Sequence, residues 1–149
     1  MSAGADVEFL STTYNTSYSW SYATTRRDLH SLYEKAKRDQ WNGGELLPWW
    51  LGVDPEGEIL PDVQIPVYGT HIWEKCTPQE IAKLRHESMR WMLSNFMHGE
   101  QGALLATAQI VDATPSMDAK FYGATQVMDE ARHVEVFARY LNDKLGLDE

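Results

Sequence analysis

From Thr77 to Ala113 apolar residues return every three or four positions, and no proline interrupts them until Thr114 and Pro115. That period predicts one helix of about 35 residues, roughly 50 Å long at about 1.5 Å per residue. Its start is marked by Thr77 as N-cap, Pro78 at the first helical position and Glu80 closing a capping box. The run from 114 to 146 repeats the recipe, with Thr114 and Pro115 as cap and first position and Gly146 as the C-terminal stop. Two helices of this length joined by a tight turn predict an antiparallel hairpin of the kind found in bundles.

The pattern is weaker upstream. Residues 1–23 are rich in Ser, Thr and Tyr without a commitment to either period, which predicts an irregular arm. A first helix is expected to begin near Thr25, where Thr25 and Asp28 have capping spacing, and to run through Leu29, Leu32, Tyr33 and Ala36 to about Trp41, stopped by Asn42, Gly43 and Gly44. Prolines 48, 55, 61 and 66 and glycines 52, 57 and 69 then forbid a long helix, so a loop held down by Trp49, Trp50 and Tyr68 is expected up to about Trp73. The expectation for residues 1–149 is one all-α domain: the arm, a helix and loop over 24–76, and the hairpin over 77–146.

Composition narrows the classes. A chain of 149 residues with 43% hydrophobic and 23% charged residues has the make-up of a globular domain. A net charge of -9 and the lack of any Lys/Arg-rich run argue against nucleic acid or an anionic membrane as partner. No apolar run approaches the roughly 18 residues of a membrane span, and the polar beginning lacks the layout of a secretory signal, so a cytoplasmic location is expected. Cys76 is the single cysteine, which leaves no intrachain disulfide and restricts any metal to oxygen and nitrogen ligands.

The hairpin carries the candidate chemistry. At helical intervals from Glu100 lie Leu93, Phe96, Met97, Ala103, Leu104 and Thr107, and from Glu130 lie Gly123, Gln126, Val127, His133, Val134, Phe137 and Leu141. Each stripe therefore has the pattern of a core face with a carboxylate in it. Burying an ionised carboxylate is costly unless it is paired or binds a metal, and neither stripe contains Lys or Arg. Pro115 lies midway between 100 and 130, so a turn there sets both glutamates about 15 residues, or roughly 22 Å, from the bend and at the same level. His133 follows Glu130 by one turn, a Glu-x-x-His spacing that lets both side chains reach one ion or a close pair. Five His and 12 Glu would produce about 0.4 such pairs by chance, so the motif weighs only together with the stripes and the level match. The non-metal alternatives are a carboxylate bonded to a neighbour and a satisfied core histidine. Asp129 and Arg132 lie off the glutamate stripe, as a solvated pair or as an outer shell around the histidine.

A long helix with one buried Glu, followed about 30 residues later by "DEARH", resembles half of the dinuclear site of the ferritin-like di-iron carboxylate superfamily. The resemblance is to bacterial multicomponent monooxygenase hydroxylases, amine N-oxygenases and ribonucleotide reductase small subunits in particular, and "YEKAKRDQW" at 33–41 is similar to the helix preceding the bundle in monooxygenase-type members. It covers roughly residues 29–145 and implies a ferritin-like helical bundle. By that resemblance Glu100, Glu130 and His133 would be metal ligands, Glu130 bridging two irons, with Asp129 and Arg132 in the outer shell. Iron is the implied metal and manganese the alternative.

Such sites need a second Glu and a second Glu-x-x-His, and no other Glu here has His three residues later. The expectation is therefore a half-bundle ending at "LNDKLGLDE", where a linker to a third bundle helix would begin. The missing helix pair would come from a partner chain, a missing C-terminal half or a homodimer mate. The completed site would oxidise a small organic substrate with O2, in a pocket near Thr107 and Gln126, with a reductase supplying electrons. The alternatives are a homodimeric ferritin-type Fe(II) oxidase, similar to encapsulated ferritin-like proteins, and a non-enzymatic scaffold subunit. His98, His30, His71 and His86 lack a ligand at useful spacing, and Glu34 is expected to be a surface acid. Trp20, Trp41, Trp49, Trp50 and Trp73 read as packing for the arm and loop. No phosphate loop, nucleophile elbow or Cys/His dyad is present.

Overall fold

A computed structural model describes residues 10–146. Positions 1–9 of the expected arm and the last three residues of the chain lie outside the described residues. Four α-helices follow one another, α1 (Arg27–Arg38), α2 (Gly43–Leu46), α3 (Pro78–Ala113) and α4 (Met117–Leu145), with 3-10 turns at Asp62–Gln64 and Trp73–Lys75. No strand occurs among the described residues.

The hairpin forms where the periodicity places it. Thr77 accepts from the Glu80 amide, and the Glu80 carboxylate accepts from the Thr77 amide at 2.7 Å, so the capping box satisfies two amides at the start of α3. At the other end Gly146 adopts φ 62°, ψ 38° and closes α4 with its N–H on the Leu141 carbonyl. The start of α4 differs from expectation. Ser116, not Thr114, is the N-cap, its hydroxyl accepting from Ala119, and Pro115 belongs to the three-residue bend. Just beyond the bend the helices approach closely, and a Cβ on Gly123 would come within 2.9 Å of a Val111 methyl.

Met97, Leu141 and Leu145 form the core between α3 and α4, with Leu93, Val134 and Phe137 against them and Val53 and Ile59 of the loop closing one end. Burial of each leucine contributes about 1.5–3 kcal/mol. The loop is held by residues other than those expected. Leu60 and Ile65 are buried, whereas Trp50 and Tyr68 are exposed; Trp49 is held by its indole N–H on the Gly43 carbonyl at 2.6 Å, and Tyr68 meets the edge of Trp73 at 5.3 Å.

α1 is shorter than the spacing suggests and is not capped by its own sequence. Asp28 pairs with Arg26 at 2.7 Å instead of serving Thr25, and α1 ends at Arg38. The amides of Thr25 and Arg26 are taken by Asp118, at 2.8 and 2.9 Å, from α4. Tyr33 then stacks on Phe121 at 5.3 Å, and Gln40 meets Arg132. Rising positions in α1 meet rising positions in α4, so α1 runs parallel to α4 while α3 runs antiparallel to it. Asn42 does not stop a helix; its side chain accepts from Gly44 and caps α2. The arm lies over the bend, where Ser17 donates its amide to the Asp112 carbonyl and Thr16 its hydroxyl to the Asp112 carboxylate.

Candidate metal centre

Glu100 from α3 and Glu130 and His133 from α4 are brought together. His133 Nδ1 lies 3.2 Å from a carboxylate oxygen of Glu100 and 3.2 Å from one of Glu130. One ligand atom from each of the three residues lies within 4.8 Å of the others. The register of the hairpin sets this meeting, and the Glu-x-x-His spacing puts the imidazole one turn above its own carboxylate.

The face they occupy is open. The side chains of His133, Glu100 and Glu130 are 42%, 27% and 17% exposed, so the two stripes are half-buried where a closed core was expected. Phe96, one turn before Glu100, is more than half exposed, as are Leu105, Ile110 and Met128 elsewhere on the hairpin. The carboxylates accordingly avoid the full cost of burial and meet a different one, their mutual repulsion. A hydrogen bond from the Glu130 carboxyl holds Glu100 below the ordinary carboxylate value, with His133 adding to the effect, and the same bond pushes Glu130 up. The opposite directions of the two shifts mark carboxyl groups that crowd one another, a position that a cation would relieve. Two hard oxygen donors and one imidazole suit iron, manganese or zinc and exclude a thiolate-type site.

Asp129 and Arg132 do not touch the imidazole. Arg132 is buried, not solvated: it donates to Asp129 at 2.8 Å and to Gln40, and stacks on the Trp41 ring at 4.9 Å. Thr107 donates its hydroxyl back to the Ala103 and Leu104 carbonyls, and Gln126 is half-buried one turn before Glu130. An apolar cavity of about 500 Å³ opens at the next turn beyond His133, lined among others by Leu93, Val136, Phe137 and Tyr140 and roofed by the loop at Trp49 to Val53; neither Thr107 nor Gln126, near which a pocket was expected, lines it.

Compared with family models, with curated proteins and with solved structures, the chain matches none of them. The site thus rests on its own geometry.

The other histidines stay apart from it. His98 and His71 are exposed, and His86 contacts the Asp54 carbonyl at 3.1 Å. His30 sits 3.5 Å from Asp118 and 3.7 Å from Glu34, while Glu34 pairs with Lys37 at 2.7 Å. Asp118 is the polar residue that periodicity missed, because its partners lie 92 and 93 positions away. Its spacing from Ser116 reads as ordinary first-turn acid, and only the contact with α1 reveals its role.

Proposed function

We propose that this chain supplies one half of a dinuclear iron centre in a ferritin-like bundle, with Glu100, Glu130 and His133 as the ligands it contributes. The observation that carries the reading is the convergence of those three donors from two helices onto a face left half-open and rimmed by apolar residues. A second helix pair, from a partner chain or a further segment, would cover that face and bring the remaining carboxylates and imidazole. Manganese is the alternative metal.

Once complete, the metal pair supplies O2-dependent oxidation of a small organic substrate, with a reductase as electron source. The protein's part is to hold the carboxylates in register, to present the Nδ1 atom of His133 to the ion, and to exclude water by closing the apolar rim over it. The cavity lined by Phe137 and Leu93 supports an organic substrate, since pure iron oxidation needs no apolar chamber.

Purification with Fe(II), followed by native mass and iron content together, tests the proposal. A monomer that retains iron only when a second helix pair is supplied supports it. A dimer holding about two irons without another chain would assign the ferritin-type activity instead. A protein that takes no metal in any assembly would leave the scaffold role.

A further inference from the structure

The segment from Gln40 to Trp49 lies along α4, in the same direction, and grips it at successive turns. Gln40 accepts from Arg132, and Trp41 offers its ring to the same guanidinium at 4.9 Å. Gly43 sits so close to Val136 that a Cβ there would come within 2.5 Å of a methyl. Trp49 stacks under Arg139 at 4.3 Å and accepts at its carbonyl from Lys144. The strap is braced internally by the Trp49 indole on the Gly43 carbonyl.

Its first anchor adjoins the metal-binding turn. Arg132 stands between Glu130 and His133 in sequence, and its buried guanidinium has a planar fork of donors that Asp129, Gln40 and Trp41 satisfy in one orientation. Successive residues of a helix are about 100° apart, so a turn of α4 about its axis that releases Arg132 also swings His133 away from Glu100. Packing on α3 through Gly123, Val134 and Leu141 holds one side of α4, and α1 holds its first turns through Asp118 and Phe121, so that the strap meets α4 from Arg132 onward.

We propose that the strap formed by residues 40–49 sets the axial rotation of α4, with Gln40 and Trp41 acting through Arg132 as positioning residues for Glu130 and His133. The link to metal affinity rests on the metal-centre reading above, whereas the rotational restraint itself does not. Outer residues that orient metal ligands are worth about 10- to 100-fold in affinity.

The test uses the full chain with Cys76→Ser and nitroxides at two exposed positions, Gln101→Cys on α3 and Ala131→Cys on α4. Pulsed EPR reads their separation, and Co(II) titration of the unlabelled chain reads affinity. Trp41→Leu is expected to broaden or shift the distance distribution and to weaken Co(II) binding about 10- to 100-fold with helix content unchanged by circular dichroism. Trp41→Phe, which keeps an aromatic face, should restore both. Gln40→Ala gives the same pair of readings should Trp41→Leu lose helix. Unchanged distance and unchanged affinity in these variants overturn the proposal while leaving the metal reading intact. A shifted distance in a chain that takes up no Co(II) upholds the strap, and the metal reading falls if the protein assembled with its completing helices takes up none either.

Discussion

The imidazole of His133 touches the carboxylate of Glu100 across 33 positions of sequence, at 3.2 Å. No local spacing links those residues; the three-residue bend and the lengths of two helices do. A site assembled that way depends on register, and the dependence can be tested.

Glu100→Gln removes one of two mutually repelling carboxylates. The metal-free chain is expected to be no less stable, while added Co(II) should lose its stabilising effect. In a chain that binds, ligand at about a hundred times its dissociation constant adds about 2.7 kcal/mol. Thermal melts of Glu100→Gln and His133→Ala with and without metal check this, and an undiminished metal-induced shift in both would remove those residues from the ligand set.

Ile110→Glu places a charge on the open face without touching a ligand. The expected result is a chain with normal helix content that no longer associates with its completing helices and so retains no iron. Native mass spectrometry of the purified complex reads both at once.

Asp118 gives a pH dependence of determined sign. The Arg26 amide foremost, then the Thr25 amide and the nearby His30, hold its carboxyl below the ordinary 3.8. A carboxyl depressed on folding contributes stability that is complete above the unfolded value and is lost as pH falls through the folded one. Asp118→Asn should therefore be less stable than the parent at neutral pH, and the difference should shrink as pH falls below 3.8. Urea titrations at several pH values measure it.

Gly43→Ala forces a Cβ to within 2.5 Å of Val136. Overpacking of this kind costs roughly 1–3 kcal/mol, and adding Val136→Ala should recover much of the loss. A double-mutant cycle by chemical denaturation reads the coupling.

Much of the hairpin was legible because its signals are local: the capping box at Thr77, the uninterrupted period and the stop at Gly146 all act within a few residues. The convergence of Glu100, Glu130 and His133 followed from counting residues to the bend. What sequence misplaced depends on distant partners. Arg132 looked solvated because Gln40 and Trp41 are some 90 positions away, and Thr25 looked like a cap because Asp118, which actually takes its amide, comes from another helix. An uncovered face around Glu100 and His133 accords with the expected half-bundle, but a stripe with the pattern of a core does not say what covers it.

The parallel course of α1 along α4 has a kinetic consequence. α3 and α4 are neighbours in sequence and close one short bend, whereas α1 has no buried residue of its own and is joined to α4 by contacts spanning 88 positions, Tyr33 to Phe121 and His30 to Asp118. Contacts of long sequence separation form late, because their loop-closure entropy must be met first. The hairpin can assemble without α1, but α1 has nothing to fold onto until α4 exists. Amide exchange should accordingly show α1 and the strap opening together as one unit while the hairpin stays protected, so α4 would lose its orientation well before it loses its shape.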